Sequence, residues 1–203
     1  MKKYAVLHEP GDIVTLAGTR FVVLDVERRG SLPDSLFLLA LESVGASEFG
    51  SSNNYAESDL KKAVDKWLED MGKRGLDNAK LIPREIDLTT LDGSGCYGKL
   101  SVKAAPLTLD EAREYADIIP NAERWCWLAT GWSGPSKSDG DLALSVNSYG
   151  DWYSNFCSGS LGIRPALKIP SDLLLDSADK PDLSEVPTDT LLEEIRRRVV
   201  DKA

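Results

Sequence analysis

Histidine is nearly absent from this chain of 203 residues: His8 is the only one. A Ser-His-Asp or Cys-His device would have to use it, and nothing in the order of residues places it near a nucleophile. Zinc coordination by paired histidines is excluded by the same count. Cysteine is scarce as well. Cys96, Cys126 and Cys157 lie about thirty residues apart and form no metal-binding spacing. Buried reduced thiols are the expectation, with one disulfide and a leftover thiol as the alternative. Basic residues are outnumbered: 24 Lys and Arg stand against 33 Asp and Glu, a net charge of -9 with a pI near 4.7. A phosphate-backbone binder needs a basic footprint, so nucleic acid is not an expected partner. No apolar run approaches the roughly 20 residues of a membrane span. The N-terminal MKKYAVLHEPGD has no apolar core of a signal peptide. A cytoplasmic or virion-associated protein is therefore expected.

What the chain does contain is ordinary globular composition, 42% hydrophobic and 28% charged, at a length that suits one domain with an appendage. Ile13 to Leu16 and Phe21 to Val26 flank Ala17-Gly18-Thr19 and read as a hairpin. Ser35 to Glu42 reads as a buried strand. From Tyr55 to Gly72 the apolar residues Leu60, Val64, Trp67, Leu68 and Met71 recur at helical spacing. Leu76 to Ile86 reads as a link. Thr89 to Tyr97 is a glycine-bearing loop whose G-x-G lacks the rest of a nucleotide fingerprint. Thr108 with Glu111 three residues later is a capping box, which predicts a short helix ending before Pro120. Arg124 to Thr130 reads as a strand. Leu142 to Asn147 and Trp152 to Cys157 read as a hairpin, and Ile163 to Ile169 as the last strand. Beyond residue 170 an acidic, proline-bearing linker is expected over 171–187. An amphipathic helix is expected over 188–203, docked on the domain or serving self-association.

The most unusual stretch runs from Trp125 to Ile169. Between its ends Trp132, Ser133, Ser136, Ser138, Ser145, Asn147, Tyr149, Asp151, Tyr153, Asn155 and Cys157 mix aromatic with small polar side chains. Strand alternation puts Asp151, Tyr153, Asn155 and Cys157 on one face and Trp152, Ser154 and Phe156 on the other. It sets Leu142, Leu144 and Val146 inward, and lets Ala143, Ser145 and Asn147 join the exposed set. Tyrosine with Ser, Asn and Gly is a paratope-like combination: the rings give contact area at low entropy cost and the small groups give adaptable hydrogen bonds. The same mix also suits the ordinary polar face of a hairpin. Asp139 and Asp141 lack the calcium-loop pattern, although a lone calcium site there stays open. Arg164 reads as a structural residue that ties the final strand to core carboxylates or carbonyls.

Trp125-Cys126-Trp127-Leu128-Ala129-Thr130, Val146-Asn147-Ser148-Tyr149-Gly150 and Gly162-Ile163-Arg164-Pro165-Ala166-Leu167 resemble, in order, the motifs of a bacterial and phage domain of unknown function. That domain has a C-type-lectin-like fold. Upstream, Asn53 to Leu68 and Leu107 to Tyr115 are similar to its two helical segments. Ala129-Thr130 departs from the family's Arg-Ser. The resemblance covers residues 10–170 and implies an α+β, C-type-lectin-like domain over 1–170, with two helices packed on short antiparallel strands and an extra C-terminal helix. The fold is shared with the variable proteins of diversity-generating retroelements and with formylglycine-generating enzymes. Variable proteins display mutable residues just before similar G-x-R-P strands. Randomised adenines scatter their Asn codons to Ser, Tyr, Asp, Phe, Cys and Gly, and the residues of 147–157 fit that set. The enzymes use a cysteine pair that this sequence does not offer.

The resulting expectation is a non-catalytic ligand- or receptor-binding module without a cofactor. Its surface would be the 132–138 loop and the 145–157 hairpin, its ligand a protein or glycan on a cell or particle surface. The alternative is a structural or decoration protein of a phage-like particle, assembled as a homo-oligomer through the C-terminal helix. An oxidase or hydrolase with an acidic or cysteine site is a third, weaker reading.

Overall fold

The computed structural model of the chain describes residues 2–4, 8–29 and 32–177. The helix expected over 188–203 and most of the expected linker lie outside the described residues. In chain order the strands are β1 Lys2–Tyr4, β2 Ile13–Leu16, β3 Thr19–Arg29, β4 Leu32–Ala40 and β5 Ala46–Glu48. Helix α1, Asp59–Lys73, follows a 3-10 turn at Tyr55–Glu57. Strands β6 Arg84–Asp87, β7 Lys99–Val102 and β8 Ala104–Ala105 precede helix α2, Leu109–Glu114. Then come β9 Cys126–Gly131, β10 Leu142–Val146, β11 Trp152–Phe156, β12 Ser160–Gly162, β13 Ala166–Pro170 and β14 Leu174–Ser177. The architecture is α+β.

Among the described residues the strands form three sheets. One is antiparallel with order β1-β14-β2-β3-β4-β13-β8, one has order β11-β10-β9-β12-β5, and β6 pairs with β7. The continuous apolar runs at Phe21 to Leu24 and Leu36 to Ala40 are buried on both faces, as such runs require. Phe21, Val23, Leu36 and Leu38 face one core cluster, together with Leu60, Val64 and Met71 of α1. Val22, Leu24, Phe37 and Leu39 face a second cluster, closed by Leu109 and Ala112 of α2 and by Leu128 and Leu144.

Both helices begin where short-range chemistry dictates. The Ser58 hydroxyl accepts from Lys61 N at 2.9 Å, starting α1 four residues later than the periodicity alone predicts. At α2 the capping box forms as expected: Thr108 Oγ1 accepts from Glu111 N at 3.2 Å, and Glu111 Oε2 accepts from Thr108 N at 2.8 Å. Glu111 also pairs with the buried Arg84, whose Nη2 donates to the carbonyls of Ala105 and Pro106 at 3.0 and 3.1 Å. None of the helices among the described residues is long and apolar enough to cross a membrane.

Two features depart from the sequence reading. The segment taken as a link ends in β6, which pairs with β7. The sheet also continues past residue 170, because β14 pairs with β1 and β2. An acidic LLDS stretch is not apolar enough to announce a strand, and its partners lie at the other end of the chain.

One buried side chain joins the loops that carry the 132–142 region. Asn53 Nδ2 donates to the carbonyls of Ser133 and Leu142, both at 2.9 Å, and its Oδ1 accepts from the Tyr97 hydroxyl at 2.6 Å. A Cβ on Gly131 would lie 2.9 Å from Asn53 Cγ, so the glycine is what admits the amide. Asn53→Ala strands the Ser133 carbonyl and the Tyr97 hydroxyl, while the Leu142 carbonyl keeps Trp132 N. The substitution is expected to lower unfolding stability by about 3 kcal/mol in denaturant titrations, whereas a value below about 1 kcal/mol would mean that water replaces the amide without loss.

Candidate functional site

The β10–β11 hairpin forms with the expected strands, Val146 paired to Trp152 and Leu142 to Phe156. Its turn is closed from within by Asn147, whose Oδ1 accepts from Tyr149 N at 2.8 Å and from Asp151 N at 2.9 Å. The Asn147 Nδ2 donates to Asp151 Oδ2 at 3.1 Å. These bonds consume the Asn147 amide, and the residue is buried. The expectation that Asn147 joins the exposed set is corrected accordingly.

Ser145, Ser133 and Cys157 require the same correction, since all three are buried. β10 runs between β9 and β11 and is covered on both faces, with Ala143 packed in the first core cluster and Leu144 in the second. Ser145 lies opposite Trp127 and accepts from Asn155 Nδ2 at 2.7 Å. Ser133 sits above Asn53. The Cys157 carbonyl accepts from Phe49 N at 2.8 Å and from Gly50 N at 3.1 Å, fixing that residue inside.

β11 is the outer strand of its sheet, so one edge of its backbone has no hydrogen-bonding neighbour. Side chains on both of its faces meet solvent. Tyr149 is 81% exposed and Phe156 65%. Trp152, Tyr153 and Trp125 are each about half exposed. The Trp125 and Tyr153 rings meet at 4.9 Å between centroids, and the Arg113 guanidinium lies 5.4 Å over the Trp152 ring. Asp151 is exposed, while Asn155 and Ser154 are half buried. Trp125, Trp152 and Phe156 thus join the surface, although alternation had not placed them there. The signal that could have found them is an uncharged WYSNF run, unusual for an edge strand, which is normally guarded by charge. Pairing also fixes which backbone groups are free. Asn147 N donates to Asp151 O at 2.9 Å and Cys157 N to Asp141 O at 2.7 Å. By the alternation of an antiparallel ladder, the N–H and C=O of Trp152 and Ser154 then point outward.

The 132–138 loop lies at the Phe156 end of this surface, away from Tyr149. Trp132 packs half buried in the second cluster, and the exposed Ser136 and Ser138 sit beside the Leu142–Phe156 end of the hairpin. Tyr149 is at the other end, about 15 Å away at the rise of a strand. The loop is tied down. Leu91 N donates to Gly131 O at 3.0 Å, Asp92 N to Trp132 O at 3.2 Å, and Lys137 Nζ to Asp92 Oδ2. The Lys137 ammonium and the Thr90 hydroxyl hold the Asp92 carboxyl down to about 2.

The framing motif is tightly built. Gly162 N donates to Trp125 O at 2.8 Å, and a Cβ on Gly162 would lie 2.8 Å from Cys126 Sγ and 2.9 Å from Trp125 O. Only glycine fits that approach. Arg164 Nε donates to Ala40 O at 2.8 Å, in line with a role in tying the last strand to a core carbonyl. No disulfide forms among the described residues; Cys126 and Cys157 are buried and Cys96 is exposed, against the expectation that all three are buried. Burial pushes the Cys126 thiol up to about 11 and the Cys157 thiol up to about 12. Thiolates are scarce at neutral pH under those conditions, and such cysteines make poor nucleophiles. Among the described residues no three His, Cys, Asp or Glu side chains gather as a metal site.

Two measurements check this geometry. Iodoacetamide at pH 8 is expected to label Cys96 and to spare Cys126 and Cys157 in the folded protein; labelling of all three at one rate would contradict their burial. A depressed carboxylate favours the folded loop above its ordinary titration range and loses that contribution as pH falls through about 2. Carboxyl NMR should therefore find the Asp92 midpoint near 2, moving up toward the ordinary Asp value in Lys137→Met.

Comparison with family models, with curated proteins and with solved structures finds no match to this chain.

Proposed function

We propose that the chain is a non-catalytic binding module of C-type-lectin-like fold whose contact surface is the outer edge of the β10–β11 hairpin. The observation that carries the reading is a clustering. Among the described residues, five of the six exposed large hydrophobic side chains are Trp125, Tyr149, Trp152, Tyr153 and Phe156. Aromatic anchors beside small polar groups are the composition of interfaces that gain much area from few rotamers. Asp151, Ser154 and Asn155 supply the polar contacts. The outward N–H and C=O of Trp152 and Ser154 add main-chain hydrogen bonds that a partner can complete. The partner is a protein or glycan on a cell or particle surface.

The resemblance of 147–157 and Gly162 to Leu167 to retroelement variable proteins supports a more specific form of this reading. In it, Tyr149, Asp151, Tyr153, Ser154, Asn155 and Phe156 are the diversified positions, and Asn147 is retained to close the turn. The alternative role in a phage-like particle depends on the C-terminal helix, which lies outside the described residues.

Two experiments test the proposal. Protein and glycan arrays probed with the wild type and with Tyr149→Ala/Phe156→Ala should show specific signals that the variant loses at least tenfold. Both rings are mainly in solvent, so the variant should keep its unfolding midpoint. Signals unchanged in the variant would overturn the surface. Sequencing the DNA around the gene should reveal a near-copy of the 147–169 coding segment differing mainly at adenines, next to a reverse transcriptase. Absence of such a copy removes diversification and leaves a fixed ligand.

A further inference from the structure

A cavity of about 250 Å³ lies between α2, the Ile119–Ala122 segment and the inner side of the hairpin. Leu107, Ile119, Leu128, Val146 and Trp152 form its apolar walls, and Tyr149 and Asn121 stand at its rim. Arg164 is the only charged residue that lines it. This guanidinium is 7% exposed and donates through Nε to Ala40 O, while Nη2 has no hydrogen-bond partner among the described residues. The contrast with Arg84 is instructive. Arg84 is equally buried, yet it has Glu111 as its counter-ion. No carboxylate pairs with Arg164 among the described residues. The acid whose charge reaches it, Glu42, is bonded to Arg20 at 3.4 Å instead. Burial holds the Arg164 guanidinium below its ordinary value.

We infer that this cavity is a binding site for a small monocarboxylate with an apolar body, its carboxylate on Arg164 and its body against Leu107, Ile119, Leu128 and Val146. A buried charge without a partner is costly, and a ligand anion removes that cost. The planar fork of arginine matches a carboxylate in geometry and charge. One cation with no second basic group on the walls suits a single negative charge and not a phosphate dianion. The apolar lining selects a hydrocarbon body over a sugar or an amino acid zwitterion. An apolar cavity of about 150 Å³ already admits benzene, so a single ring or a short chain fits here. The site shares Trp152 and Tyr149 with the edge surface, whereas Phe156 is not on its walls.

The test uses the full chain with phenylacetate as the acid and 2-phenylethanol as its neutral counterpart. Isothermal titration and thermal shift should show saturable binding of phenylacetate at least tenfold tighter than of 2-phenylethanol. Ala116 lines the mouth and is exposed, so Ala116→Trp is expected to block entry without unfolding and to weaken phenylacetate at least tenfold. Phe156→Ala should leave that affinity unchanged. Arg164→Met should abolish the preference for acid over alcohol where circular dichroism shows it folded. If it does not fold, the comparison of acid with alcohol on the wild type and the Ala116→Trp variant still decides. Equal affinity for acid and alcohol overturns the role of Arg164. Absence of saturable binding, or full affinity in Ala116→Trp, overturns the site.

Discussion

Two-sided burial is the constraint on which the rest of this structure depends. β3 and β4 are apolar on both faces, so each face needs a cover. α1 supplies one, and α2 with β9 and β10 supplies the other. β9 and β10 are themselves covered on both sides, with Trp127, Ala129 and Ala143 in one cluster and Leu128 and Leu144 in the other. The fold runs out of cover at β11. Neither core cluster extends over the faces of that outer strand, so its aromatic side chains meet water.

This constraint explains what could be read from sequence and what could not. Features decided within a few residues were legible. The capping box at Thr108 and Glu111, the α1 face of Leu60, Val64, Leu68 and Met71, and the β2–β3 and β10–β11 hairpins all follow from local spacing. The exposure of the candidate site was legible only in part. Alternation assigns two faces to a strand, but it does not say whether one, both or neither is covered. Ser145 and Asn147 were placed outside because they alternate with Leu144 and Val146, and they are inside because β9 and the turn enclose them. Phe156 alternates with Tyr153 and Asn155, and it is exposed because neither core cluster packs over it. Ser133 and Cys157 are buried through Asn53 and Phe49, some eighty and a hundred residues earlier, and no window of sequence contains both partners.

The two buried arginines show how the same residue type serves different ends. Arg84 has its counter-ion and two carbonyls, and it fixes α2 against the strand before it. Arg164 has one carbonyl and a cavity at its side. The Gly162-Ile163-Arg164-Pro165 turn that positions it is crowded enough to admit only glycine at its start. The guanidinium is therefore held in place by backbone packing, independent of any ion pair.

The internal closure of the hairpin turn has a consequence for inheritance. Asn147 makes its two principal bonds to the backbone N–H groups of residues 149 and 151, which every residue but proline provides. The turn therefore places almost no demand on the side chains at 148 and 149. Those positions can drift or be rewritten while the scaffold beneath them keeps its shape. A lineage carrying this turn can change what it shows to the outside without first having to solve its folding again.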